Sequence, residues 1–76
     1  MNDTELKLRK VLALNIRVAR TRKQITQETL AELSDISVKH VTKIENAQVT
    51  TSIYFIYRIA QALNVTIDEL VTEYKK

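Results

Sequence analysis

Seven cations stand between residues 6 and 27, namely Lys7, Arg9, Lys10, Arg17, Arg20, Arg22 and Lys23, and no Asp or Glu interrupts them. From Val49 onward the charges cancel, Arg58, Lys75 and Lys76 against Asp68, Glu69 and Glu73. The net charge of +3 is therefore unevenly placed. A one-sided basic region suits a polyanion or an acidic surface as partner, although a solvated helix face would read the same way. Other chemistries lack their residues. There is no Cys, which removes disulfides, thiolate nucleophiles and zinc-finger ligand sets. His40 is the sole imidazole and no metal site by itself, and no Gly is present to cradle a phosphate. No constellation supports an enzyme, a metal or a cofactor.

The elements that position these cations are helical. Seventy-six residues, 45% of them apolar, suit one domain spanning 1–76 around one core. The apolar stretch VLALNIRVA is broken by Asn15 and Arg17, so neither a membrane span nor a secretory segment fits, and the expected address is the cytoplasm. From Glu5 to Lys23, Leu8, Leu12, Ile16 and Ala19 share one helical face. Val11, Leu14 and Val18 make a second apolar edge, either extra core or a partner surface. Thr26 caps a short second helix with Leu30, Ala31 and Leu33 inward, ending near Ser34-Asp35. Ser37 opens a third helix through Asn46 with Val41 and Ile44 inward. After a loop, Ser52 caps a fourth helix carrying Ile53, Ile56, Ala60 and Leu63. Thr66 and Glu69 open a fifth with Leu70. The expected fold is all-α, a compact five-helix domain.

Two helices of this length are marginal alone, and joined by a tight turn they form a helix-turn-helix. Its second helix lies in the DNA major groove. With Val41 and Ile44 inward, that helix shows Val38, Lys39, Thr42 and Lys43. Lys can bond guanine O6 or N7, Thr can bond or pack on a thymine methyl, and Val can pack on that methyl.

The residues Asn15-Ile16-Arg17, Arg20, Ile25-Thr26-Gln27-Glu28-Thr29-Leu30-Ala31-Glu32, Ile36-Ser37 and Val41-Thr42-Lys43-Ile44-Glu45-Asn46 together resemble the phage repressor and Cro-type (XRE-like) helix-turn-helix family. Ile59-Ala60-Gln61-Ala62-Leu63-Asn64-Val65 and Asp68-Glu69-Leu70 resemble the last two helices of that family. The likeness covers about 15–70, with the helix-turn-helix at about 26–46. It implies a lambda-repressor-like domain that regulates transcription by binding double-stranded DNA, as a homodimer on a near-palindromic operator. Val38, Lys39, Thr42 and Lys43 match base-facing positions. Gln27 matches a phosphate contact aided by the helix dipole. Thr26, Ser37, Asn46, Gln48 and Thr50 match other backbone-contacting positions, and Arg17, Arg22 and Lys23 lie near the DNA backbone. Lys7, Arg9 and Lys10 read as solvated surface. Arg20 and Glu45 match a salt bridge joining the first helix to the reading helix.

Some residues stay open. His40 is either a phosphate contact or a packed ring, and the packed ring is favoured. Tyr57 reads as core. Tyr54 and Phe55 read as a homodimer patch with Ile67, Val71 and Tyr74, or as boundary aromatics over the core. The family has Gly where this chain has Gln24, Asp35 and Ala47, and often Pro where it has Thr51. Either Ala47 is strained or the helix exit is rebuilt without a positive φ. Phage or mobile-element repressors and restriction–modification controllers are compatible contexts, and RNA polymerase is a possible contact. The rival is an antitoxin-type protein whose main role is to bind a partner protein.

Overall fold

The computed structural model describes residues 2–74. Five helices follow in order: α1 (Asp3–Arg22), α2 (Gln27–Ser34), α3 (Val38–Glu45), α4 (Ile53–Leu63) and α5 (Ile67–Val71). Each starts at a side-chain cap that satisfies an otherwise unpaired amide of the first turn. Asn2 accepts from the Glu5 amide at 2.8 Å. Thr26, Ser37, Ser52 and Thr66 accept from the amides of Thr29, His40, Phe55 and Glu69. In α1, Asp3 and Glu5 lie in the first turn and Arg20 and Arg22 in the last, the polarity that the helix dipole favours.

The first four helices all stop in one way. The residues Gln24, Asp35, Ala47 and Asn64 hold φ of 58°, 56°, 57° and 57°. After α3, for example, the Ala47 amide bonds the Ile44 carbonyl at 3.1 Å and the Gln48 amide bonds that of Lys43 at 2.9 Å. This Schellman closure normally uses Gly at the left-handed residue. Asp and Asn tolerate that region, but Gln24 and Ala47 cost about 1–2 kcal/mol each against Gly-like freedom. Ala47 is thus strained, and the α3 exit has not been rebuilt. In three of the four closures the next residue is apolar and turns inward (Ile25, Ile36, Val65), whereas Gln48 is exposed.

The core joins Leu12 and Ile16 of α1, Leu30 and Ala31 of α2, Val41 and Ile44 of α3, Ile56, Ile59, Ala60 and Leu63 of α4, and Leu70 of α5. α2 packs on α3 and α4, while α1 packs on α3 and α5. A five-residue helix cannot persist alone. Leu70 anchors α5, and Asn15 Nδ2 reaches its final carbonyls, those of Leu70 and Thr72 both at 2.9 Å.

Four apolar residues expected inside are not. Leu8 is 41% exposed, Leu33 54%, Ile53 66% and Tyr57 48%. Periodicity gives the direction of a stripe but not its width or reach. Leu8 lies to one side of the α1 face that buries Leu12, Ala13 and Ile16, and Ile53 is the first residue of α4, ahead of the buried Ile56. Leu33 and Tyr57 flank the buried faces, where Ser34 and Ile59 point inward instead. Ala13, also buried, lies on the side of the α1 face away from Leu8.

Candidate nucleic-acid interface

The turn from Asp35 to Ser37 swings α3 away from α2, with Ile36 as its buried pin. The outer surface of α3 shows Val38, 43% exposed, with Lys39 and Lys43 exposed and Thr42 half-buried between them and the body. The backward side of α3 is tied down at His40. Its ring meets Phe55 edge-on at 4.9 Å, and Nε2 is 3.1 Å from Thr51 Oγ1. His40 is thus a packed, half-buried ring that braces α3 on the start of α4.

Beneath α3 lies one carboxylate. The side chain of Glu45 has no exposed surface and is held by three residues. Arg20 Nε donates to Oε2 at 2.8 Å and Nη2 to Oε1 at 3.1 Å, a two-pronged pairing that suits the planar guanidinium. Gln27 Nε2 donates to Oε1 at 3.2 Å. Arg17 Nη2 donates to the Glu45 carbonyl at 2.9 Å, with Nε 3.7 Å from Oε1. The hydrogen bond to Glu45 raises the Arg20 pKa above its ordinary value against the opposing effect of burial. Arg20 Nη1 also donates to the Ile25 carbonyl at 2.9 Å, so one guanidinium fixes both the α1–α2 corner and the reading helix. The chain of bonds reaches the surface, because Thr42 Oγ1 donates to Gln27 Oε1 at 2.8 Å.

The residues matched to phosphate contacts rim this surface. Thr26 and Ser37 sit at the N-termini of α2 and α3, with their hydroxyls accepting from helix amides. Arg22 and Lys23 are exposed at the end of α1, and Asn46 and Gln48 are exposed after α3. Thr50 is engaged from the side of α1: it accepts from Arg9 Nε at 2.7 Å and donates to the Glu5 carboxylate. Arg9 is therefore not free solvated surface, since its side chain is 20% exposed and 3.6 Å from Glu5. Lys10 is also closer than expected. It borders a small depression with Arg17, Asn46 and Ala47, at the exit of the reading helix. Its spacing of seven from Arg17, two helical turns, was the signal in the sequence. Lys7 pairs with Glu73 at 3.0 Å.

Of the residues grouped as a dimer patch, Tyr54 and Tyr74 are 59% and 71% exposed. Phe55, Ile67 and Val71 are half-buried against the core. Tyr74 lines an open groove of about 960 Å³ between α1 and α5, together with Leu6, Val11, Leu14, Val18 and Val65.

Two short helices joined by a tight turn, with a cationic outward face on the second, define a helix-turn-helix DNA-binding protein of the kind that regulates transcription. The chain belongs to the helix-turn-helix family, whose model matches residues 16–70. No curated protein matches it by sequence. Among solved structures it is similar to the hypothetical transcription factor NHTF from Neisseria, at 32% identity and a TM-score of 0.85 over 90% of this chain and 78% of that one. It is also similar to the restriction-modification controller protein C.AhdI from Aeromonas hydrophila, at 34% identity and a TM-score of 0.79 over 82% of this chain and 94% of that one. The clp gene regulator ClgR from C. glutamicum is similar at 25% identity and a TM-score of 0.77, over 83% of this chain and 82% of that one. Among the described residues, no helix is long and apolar enough to cross a membrane.

Proposed function

We propose that the protein is a sequence-specific regulator of transcription that binds double-stranded DNA as a homodimer. One observation carries the reading: α3 presents Val38, Lys39, Thr42 and Lys43 on a helix locked to the body through Glu45. A reading helix must hold its side chains in one register on the base edges, and the Arg20–Glu45 pair supplies that rigidity. Arg17, Arg22, Lys23 and Lys10, with the capping residues Thr26 and Ser37, and with Gln27, Asn46 and Gln48, flank α3 to position the sugar–phosphate backbone, whereas the Thr50 hydroxyl gives its one proton to Glu5 and has none for a phosphate. Exposed Tyr54 and Tyr74, with Phe55, Ile67 and Val71 behind them, form the seam between two copies. Two reading helices then enter successive major grooves of a near-palindromic site, about 10 bp apart.

Selection of bound duplexes from a random library at two salt concentrations tests this. An enriched inverted repeat with half-sites one turn apart is the expected result. Salt-sensitive binding without any enriched sequence would refute it.

The α1–α5 groove favours a second reading, an antitoxin-type role in which a partner protein covers Leu14, 60% exposed, and Val18, 39% exposed. A stoichiometric companion that copurifies with the chain and is lost from Leu14→Lys would support it.

A further inference from the structure

We propose that Thr42 is a specificity-determining residue that presents only lone pairs and a methyl group to its base pair, and so rejects guanine there. The inference deepens the groove-reading proposal and rests on it. It follows from a chain of hydrogen bonds whose direction is fixed at its buried end.

Glu45 receives the Arg20 guanidinium on both oxygens, at 2.8 Å and 3.1 Å, and so offers Gln27 only lone pairs. The group of Gln27 that lies 3.2 Å from Oε1 must therefore be its NH2. That choice settles the orientation of the amide, which distances alone leave open. The carbonyl end, Oε1, then faces Thr42 at 2.8 Å. An amide oxygen has no proton to give, so the Thr42 hydroxyl donates the only one it has. A free Thr can donate or accept and reads bases permissively. This one cannot donate.

The consequence at the groove is chemical. Guanine shows only acceptors there, O6 and N7, whereas adenine N6 and cytosine N4 carry donors and thymine carries a methyl group. Facing Thr42, adenine or cytosine can donate to Oγ1, and thymine can pack on the Thr methyl. Guanine finds no donor and loses the water that supplied one. Lys39 and Lys43, which only donate, have the complementary bias on the same helix. The buried ion pair thereby sets the donor and acceptor pattern of the reading surface as well as its position.

The test uses the full chain and random-library selection with wild type, Gln27→Met, Thr42→Val and Thr42→Ser, each first checked for a cooperative melt. In wild type, guanine should be depleted roughly ten-fold at one symmetric pair of positions, the size of a typical single-base penalty. Thr42→Val should identify those positions by keeping thymine and losing adenine and cytosine. Gln27→Met should weaken all sites and readmit guanine there, because the Thr42 proton is released. If Gln27→Met does not fold, Thr42→Ser carries the test: it should still exclude guanine while losing the preference for thymine. Guanine still excluded in a folded Gln27→Met would overturn the proposal, as would guanine accepted by wild type at the positions Thr42→Val alters, or Thr42→Val altering none. In each of those cases the enriched operator would stand. Failure of folded wild type to enrich any sequence would instead refute groove reading itself, and this inference with it.

Discussion

Arg20 reaches from α1 to Glu45 on α3, 25 residues along the chain, and binds both oxygens of a carboxylate that has no contact with solvent. The reading helix therefore cannot shift against the body without breaking a desolvated ion pair. Such a pair is costly to break from either side.

Removing Arg20 should leave the buried Glu45 carboxylate with only the half-exposed Arg17, 3.7 Å away, and removing Glu45 should strand the largely buried Arg20 guanidinium. Arg20→Ala or Glu45→Ala is expected to lose about 3–5 kcal/mol of stability in chemical denaturation. Replacing both with Arg20→Met and Glu45→Leu should lose much less. The sign of any pH effect follows from the raised Arg20 pKa, caused first by its hydrogen bond to Glu45. Stability from a raised pKa is complete below the unfolded value and lost only as pH rises through the folded one. For an arginine that window lies above ordinary working pH, so the contribution of Arg20 should be constant across the neutral range.

Strain at the corners should be removable. Ala47→Gly and Gln24→Gly each relieve about 1–2 kcal/mol of left-handed strain, against about 0.5–1 kcal/mol of added unfolded-state freedom. A net gain of about 0.5–1 kcal/mol is expected for each, read as a higher denaturation midpoint. A loss at Ala47 would show that the α3 exit differs from the closure described.

Ser34 is fully buried, and its hydroxyl has no hydrogen-bond partner among the described residues. Ser34→Ala deletes an unsatisfied group and should stabilise the fold by about 1 kcal/mol. Destabilisation would show that the hydroxyl has found a partner.

Contacts to phosphate and to bases should separate in binding assays. Arg22→Ala or Lys23→Ala is expected to weaken all duplexes alike and to lower the slope of log affinity against log salt by about one. Lys39→Ala or Lys43→Ala should instead relax preference at particular bases. If all four behaved alike, α3 would be contacting DNA without reading it.

The dimer seam has a test that spares the fold. Tyr54→Ala with Tyr74→Ala removes exposed rings, so stability should change by no more than about 0.5 kcal/mol per site. Light scattering should then report a dimer for wild type and a monomer for the double variant. A wild-type monomer would remove the homodimer from the proposed function.

Local chemistry made much of this molecule legible from sequence. Thr26, Ser37, Ser52 and Thr66 announce helix starts because a cap acts only three residues ahead. The inward pairs Val41–Ile44 and Ala60–Leu63 follow from helical spacing. The exposure of Leu8, Leu33, Ile53 and Tyr57 is not legible, because spacing gives the direction of an apolar stripe while its width and cover depend on where the neighbouring helices lie. The Thr42–Gln27 bond was illegible for another reason: both side chains suit DNA equally well, and only the tertiary placement of Glu45 joins them. Arg9 and Thr50, 41 residues apart, were hidden in the same way.

A chain without glycine turns four corners in a conformation that suits glycine, and at Gln24 and Ala47 neither side chain relieves the strain. Those two corners bracket the reading unit. A deficit of one to two kcal/mol multiplies the unfolded fraction roughly five- to thirty-fold. Ligand binding to the native state alone restores stability by mass action. Copies seated on a preferred site would therefore outlast unbound ones under proteolysis, and occupancy of that site would help set the lifetime of the protein.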